Sequence, residues 1–295
     1  MPVVVDLMHD ICRRGSVLGV VTCFVLAGLS PVSGDAVAQE RVCPDMVVLA
    51  ARGSDQNEEY GEYFGPQRYS ANAALSNGYE GPNFTALFHS VEQRHPGTMD
   101  SVYVLALDDE AYPANMDLPP LAEEGENISA IEMVQRAVGI TQQYPIGELL
   151  YSVAFGLVDS LRAGVSNAPR VVEEYEADTG CKPRYVVAGF SQGALITTSV
   201  EKYLADTGRL HGAVTIGNPL HKYPWMMERA TLPEGKRVDY CLEGDFVCDF
   251  TLEAANDALS TKAEKHASYF LNELSEQDIR VIDEVAALLS DGAGA

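Results

Sequence analysis

Five short runs rich in β-branched and apolar residues recur along the chain, at 46–50, 102–107, 185–189, 213–216 and 237–241. Each is closed by turn residues or by a change of pattern. Apolar runs of this length without polar alternation predict strands buried on both faces. Between them lie helix-like stretches, clearest over 149–165, where Leu150, Ala154, Val158, Leu161 and Val165 share one face. Residues 275–289 predict a closing helix with Ile279, Ile282, Val285, Ala286 and Leu289 on one side, and 291–295 a frayed tail. Strand and helix in alternation restrict the chain to the α/β class, with a parallel sheet covered by helices on both faces. A length of 295 residues, 46% of them hydrophobic, suits one core and hence one domain. The segment 108–147 breaks the pattern with four prolines and an acidic cluster at Glu123, Glu124 and Glu126. It reads as a long solvated surface excursion rather than a lid.

The amino-terminal residues have a different logic. Arg13 and Arg14 precede an uncharged apolar run at 17–29, and Ala36-Val37-Ala38 offers small residues for cleavage. This is the pattern of a secretory signal peptide over 1–38, leaving 39–295 as the mature domain. The run is shorter than the roughly 20 apolar residues that a spanning helix needs. Cys23 follows Thr22 inside that run, which disfavours lipid attachment there. Cleavage after Ala38 moves the formal charge of −23 by only one unit, because Arg13 and Arg14 leave together with Asp6, Asp10 and Asp35. So acidic a surface repels phosphate backbones and anionic headgroups, which excludes nucleic-acid binding and electrostatic docking on an acidic membrane. Cys43, Cys181, Cys241 and Cys248 remain after cleavage, an even set that predicts two disulfides in an exported protein. There is no C-x-x-C pair and no H-E-x-x-H, so neither metal nor cofactor is expected.

The chemistry-bearing motif is Gly189-Phe190-Ser191-Gln192-Gly193, a G-x-S-x-G lying between the strand at 185–189 and a helix that starts near Ala194. The glycines permit a sharp turn that lifts the serine hydroxyl above the sheet edge, and the helix amino terminus adds a positive dipole beneath it. A serine hydroxyl becomes a good nucleophile only when a base takes its proton, and that base needs an orienting carboxylate. Of His89, His95, His211, His221 and His266, only the last three follow Ser191, and His211 and His221 precede the last strand. His266 is left as the base. For the acid, Glu243, Asp245 and Asp249 compete in the loop after that strand. Spacing favours Asp245, which follows Gly244 inside the Cys241 to Cys248 interval, a span short enough to close as a disulfide hairpin. The oxyanion of a tetrahedral intermediate needs two N–H donors. Gln192 supplies one, and the loop Arg52-Gly53-Ser54 after the first strand is the candidate for the other, unless it is an ordinary glycine turn in which Arg52 pairs with an acid.

Four separated segments resemble the cutinase family, both fungal cutinases and the secreted cutinase-like proteins of mycolic-acid-containing bacteria. They are Cys43-Pro44-Asp45 leading into Ala51-Arg52-Gly53-Ser54, Cys181 ahead of the G-x-S-x-G, Cys241-x-x-Gly244-Asp245-x-Val247-Cys248, and His266-x-x-Tyr269. Tyr112-Pro113-Ala114 resembles the bacterial branch. The resemblance implies a cutinase-like α/β-hydrolase fold with a five-stranded parallel sheet flanked by helices, and disulfides Cys43–Cys181 and Cys241–Cys248. It also implies Asp245 as the acid of a Ser191, Asp245, His266 triad, and Ser54 beside Gln192 in the oxyanion hole. The activity implied is that of a serine esterase or lipase acting on fatty-acid or small esters, without cofactor or metal. Such a protein is expected to be a monomer, secreted or associated with the cell envelope. Two departures stand out: a longer gap from Asp245 to His266 than in fungal members, and the expanded 108–147 region, which argues against cutin as the natural substrate. Rival readings are a phospholipase A or thioesterase acting on envelope lipids and, in another class, a catalytically silent cell-wall binding protein.

Overall fold

The computed structural model describes residues 43–58, 61, 65–115, 146–227, 229–249 and 264–291, with 146–157 as backbone only. The chain divides into Met1–Glu40 and Arg41–Ala295, and the described residues belong to the second unit. The signal segment read over 1–38, most of the 108–147 excursion and the tail 292–295 lie outside the described residues.

The predicted runs become the strands β1 (Met46–Ala51), β2 (Val102–Ala106), β3 (Arg184–Phe190), β4 (Leu210–Ile216) and β5 (Arg237–Tyr240). They form one parallel sheet in the order β2-β1-β3-β4-β5, with Val47 opposite Tyr185 and Val187 opposite Ala213 fixing the central register. Because side chains alternate along a strand, each strand feeds two cores. Val48, Ala50, Val104, Ala188, Phe190 and Ile216 pack with Phe84, Leu87 and Val91 of α1 (Gly81–Arg94) and with Ile282, Val285 and Leu289 of α5 (Glu276–Ser290). Val47, Leu49, Tyr185, Val187 and Ala213 pack on the opposite side with Ala168 and Val172 of α2 (Ile146–Thr179) and Ile196, Val200 and Leu204 of α3 (Gln192–Asp206). The product is a three-layer α/β sandwich whose strands point their carboxyl ends the same way, so the loops leaving them gather at one edge. A four-residue helix, α4 (Glu264–Ala267), completes the set on the loop side of α5.

The closing helix starts on a capping box: the Ser275 hydroxyl accepts from the Asp278 N–H at 3.1 Å, and Asp278 accepts from the Ser275 N–H at 2.9 Å. Its apolar stripe matches expectation except that Val281 and Leu288 are also buried and Ile279 is only partly so.

The face assigned to α2 holds at Leu161, which packs partly buried on the core shared with α3, and requires correction elsewhere. Val158 and Val165 are exposed, and the side chains of Leu150 and Ala154 lie outside the described residues. The buried stripe is Ser160, Gly164, Ala168 and Val172. α2 crosses α3 closely at this stripe: a Cβ on Gly164 would stand 2.5 Å from Ile196 Cδ1 and 3.2 Å from Tyr112 Cδ2. Close approach selects small residues, and a search for large apolar ones therefore finds the wrong face.

Candidate active site

Ser191 sits between β3, the central strand, and α3. Its backbone is at φ 52°, ψ −120°, a left-handed setting rare for a side-chain-bearing residue and characteristic of strained functional turns. The turn is pressed against β1: a Cβ on Gly193 would lie 2.0 Å from the Ala51 carbonyl oxygen. Only glycine allows that approach.

The acid and the imidazole arrive from two loops. Asp245 follows β5 inside the Cys241–Cys248 disulfide, and His266 lies on α4. His266 Nδ1 is 2.7 Å from Asp245 Oδ2, and His266 Nε2 is 2.8 Å from Ser191 Oγ. A carboxylate only accepts, so Nδ1 carries the proton and, in the neutral ring, Nε2 presents its lone pair to the serine hydroxyl. The imidazole is held by ring contacts as well, stacked on Phe190 at 5.3 Å with Phe246 and Tyr269 edge-on. Gly217, which opens the loop after β4, closes on it too, since a Cβ there would meet His266 Cε1 at 2.9 Å.

Asp245 is fully buried. Burial by itself would raise its carboxyl, but hydrogen bonds from His266, from the Tyr269 hydroxyl (2.6 Å to Oδ2) and from the Val247 N–H (2.9 Å to Oδ1) outweigh it and hold the group below the ordinary aspartate value. Its competitors are placed otherwise. Glu243 is exposed, while Asp249 braces the loop, accepting from the Gly244 N–H at 2.8 Å and pairing with Lys222.

The loop after β1 forms the opposite shoulder of the serine. Gly53 packs directly on the elbow, with the position of a Cβ only 2.6 Å from Phe190 Cδ1. Among the described residues the buried Ser54 hydroxyl oxygen has no hydrogen-bond partner. Gln192 is the first residue of α3, so its N–H is one of the amino-terminal donors that the helix itself cannot satisfy. The Gln192 side chain faces inward, its Oε1 accepting from the Tyr112 hydroxyl at 2.8 Å. Arg52, fully buried, donates to the carbonyl of Tyr112 at 2.7 Å and to those of Leu107 and the Asp109 carboxylate, with its guanidinium over the Tyr112 ring. Burial pulls Arg52 below its ordinary value and Asp109 opposes that shift.

The five residues singled out from the sequence therefore flank one another around the elbow, and the Cys43–Cys181 and Cys241–Cys248 bonds are both present. Three others were not assigned a part: Tyr269, Tyr112 and Arg52. The H-x-x-Y spacing is a signal for the first, Tyr112 stands in the Tyr112-Pro113-Ala114 resemblance, and Arg52 is foreseen only as pairing with an acid. Among the described residues no group of three or more His, Cys, Asp or Glu is arranged to hold a metal, and no helix is long and apolar enough to cross a membrane. Chemically, a hydroxyl bonded to an imidazole bonded to a buried carboxylate can give up its proton.

Solved structures similar to this chain include Trichoderma reesei cutinase in complex with a C11Y4 phosphonate inhibitor, at 16% identity and TM-score 0.43, covering 84% of this chain and 78% of that one. An acetylxylan esterase shares 14% identity at TM-score 0.40, covering 84% of this chain and 100% of its own. A cutinase-like protein from Cryptococcus sp. shares 14% at TM-score 0.34, covering 79% and 98%. No curated protein matches. The family model that matches is Cutinase, over residues 129–278, half of the chain and the part that carries Ser191, Asp245 and His266. The chain belongs to the cutinase family.

Proposed function

We propose that the protein is a secreted serine esterase that hydrolyses carboxylic, in particular fatty-acid, esters through an acyl-serine intermediate. The supporting observation is the continuous relay from Ser191 Oγ through His266 to Asp245, at 2.8 and 2.7 Å. His266 Nε2 takes the hydroxyl proton as Oγ bonds to the ester carbonyl carbon, and Asp245 stabilises the imidazolium. The negative charge on the former carbonyl oxygen is held by the Gln192 N–H and by Ser54. Collapse of the adduct breaks the carbon–oxygen bond to the alcohol, which leaves with the proton from His266. Water then repeats the sequence on the acyl-serine and releases the acid. Two disulfides fit an oxidising compartment, which supports export.

Hydrolysis of p-nitrophenyl esters from acetate to palmitate, beside Ser191→Ala prepared identically, tests the reading. Turnover lost in the variant is the expected result, with the chain-length profile separating a short-acyl esterase from a lipase. A folded protein that neither turns over any ester nor labels with a fluorophosphonate would sink it in favour of a silent binding protein.

A further inference from the structure

Three large apolar side chains stand exposed within four consecutive positions: Tyr223 at 49%, Trp225 at 75% and Met226 at 65%. Leaving so much apolar surface in water is unfavourable, and a cluster of it on one loop marks a contact surface. Trp225 is the chain's only tryptophan.

The loop's position is defined by its two anchorages. It leaves the carboxyl end of β4 at Gly217, against the His266 ring. Further on, Lys222 pairs with Asp249, whose N–H donates to the Asp245 carbonyl at 2.7 Å. The tip is thus built onto the same edge of the sheet as Ser191. It is also shaped: the Tyr223 N–H donates to the Leu220 carbonyl and the Met226 N–H to the Tyr223 carbonyl, both at 2.9 Å, and the Tyr223 and Trp225 rings meet edge to face at 5.6 Å.

Charge selects the partner. The basic residues around the tip are turned back onto acids, Lys222 onto Asp249, and His221 and Arg229 onto Asp239 at 3.3 and 3.6 Å. Among the described residues of the tip none offers net positive charge to an anionic surface, and a chain of formal charge −23 is repelled by one. Tryptophan and tyrosine, with an apolar body and one polar group, partition to the lipid–water boundary, and methionine buries readily in acyl chains.

We propose that the Tyr223, Trp225 and Met226 tip is an interfacial anchor that docks the protein on an uncharged or zwitterionic lipid surface and sets Ser191 against esters held in it. Its purpose rests on the esterase reading; the docking itself does not.

The single tryptophan makes the test site-specific. Ser191→Ala protein mixed with phosphatidylcholine vesicles should show a blue shift of its emission and quenching by lipid brominated in the acyl chains. Replacing half of the lipid with phosphatidylglycerol should weaken the effect. Tyr223→Ser and Met226→Ser should each weaken vesicle binding by about tenfold. In otherwise wild-type protein, Trp225→Ser should slow hydrolysis of a triacylglycerol emulsion by about tenfold while leaving water-soluble p-nitrophenyl acetate turnover unchanged. Emission unmoved by vesicles overturns the proposal. So does emission moved only by polysaccharide, or only by raising protein concentration. Failure of the esterase reading is distinct: wild-type protein would then fail on p-nitrophenyl acetate while the emission shift stands.

Discussion

The two shoulders of Ser191 are fastened by opposite means. On the acid shoulder the buried charge is Asp245, and its fastenings are neutral or covalent: the Tyr269 hydroxyl, the Val247 N–H and the Cys241–Cys248 bond. On the oxyanion shoulder the buried charge is Arg52, and it is the fastening, gripping Leu107, Asp109 and Tyr112. The groups proposed to hold an oxyanion there are neutral, the Gln192 N–H and Ser54. That shoulder is also the more strained, with Asp55 at φ 60° and Ala114 at φ 59° joined by the Asp55 N–H to the Ala114 carbonyl at 2.7 Å. A buried charge proposed to steady the imidazole is placed by neutral or covalent neighbours that also keep it ionised; a buried charge that only holds can be the fixture. Perturbing the first should therefore change rate, and perturbing the second should change stability.

The largest contrast is expected from Asp245→Asn. It keeps the shape of the acid shoulder but forces His266 into the wrong tautomer, and kcat should fall by about 10⁴, far more than any accompanying loss of thermal stability accounts for. A rate within tenfold of wild type would remove Asp245 from the relay. Arg52→Met should do the reverse. It leaves the Leu107 and Tyr112 carbonyls without their donor, at a cost of about 3 kcal/mol. Thermal unfolding should show this as a fall in Tm of roughly 10 °C. Arg52→Lys should not restore it, because an ammonium cannot reach three separated acceptors as a planar fork does. Undiminished stability in Arg52→Met would show that the shoulder is held by something else.

The two shoulders also differ in how far they could be read from the sequence. The acid shoulder follows from local spacing: a cysteine pair seven residues apart, a glycine and an acid between them, and a histidine placed after the last strand. Such features are short-range and survive into the fold unchanged. The oxyanion shoulder depends on contacts across 55 to 60 residues, between Arg52 and the segment 107–112, which no periodicity encodes. Arg52 could be foreseen as pairing with an acid, but not as a wholly buried clamp. The misassigned face of α2 has the same origin, since Gly164 and Ala168 are selected by the nearness of Ile196 and Tyr112, not by a pattern within the helix. The strands were legible because burial on both faces removes polar residues from the run itself.

A smaller effect sharpens the comparison within the acid shoulder. Replacing Cys241 and Cys248 with serine opens a loop of seven residues' separation, which chain entropy alone values at roughly 2.5 kcal/mol. If the bond serves chiefly to place Asp245, activity should fall further than stability does, and verified loss of the bond with full turnover would deny it that part.

The smallest change expected is from Tyr269→Phe, and it asks whether the tyrosine acts through Asp245 or merely packs. The phenylalanine ring can keep the edge contacts with Phe190 at 5.8 Å and Tyr240 at 5.2 Å, so only the hydroxyl is lost. That hydroxyl donates to Asp245 Oδ2, the oxygen that also holds His266, and accepts from the Leu242 N–H at 2.9 Å. Loss of a donor to a buried carboxylate costs about 1.5 kcal/mol, which would lower kcat by roughly tenfold if it acts on the relay. The sign in pH follows from Asp245 being held below its ordinary value. A depressed carboxyl contributes stability that is present above the unfolded value of about 3.9 and is lost as pH falls through the lower, folded one. Without Tyr269 the carboxyl moves back up, so acid unfolding should begin at a higher pH. The decisive control is the same substitution in Asp245→Asn protein, where no carboxylate remains to be held. There the pH displacement should vanish while any packing cost persists, and a displacement that survives would mean that Tyr269 steadies the fold by another route.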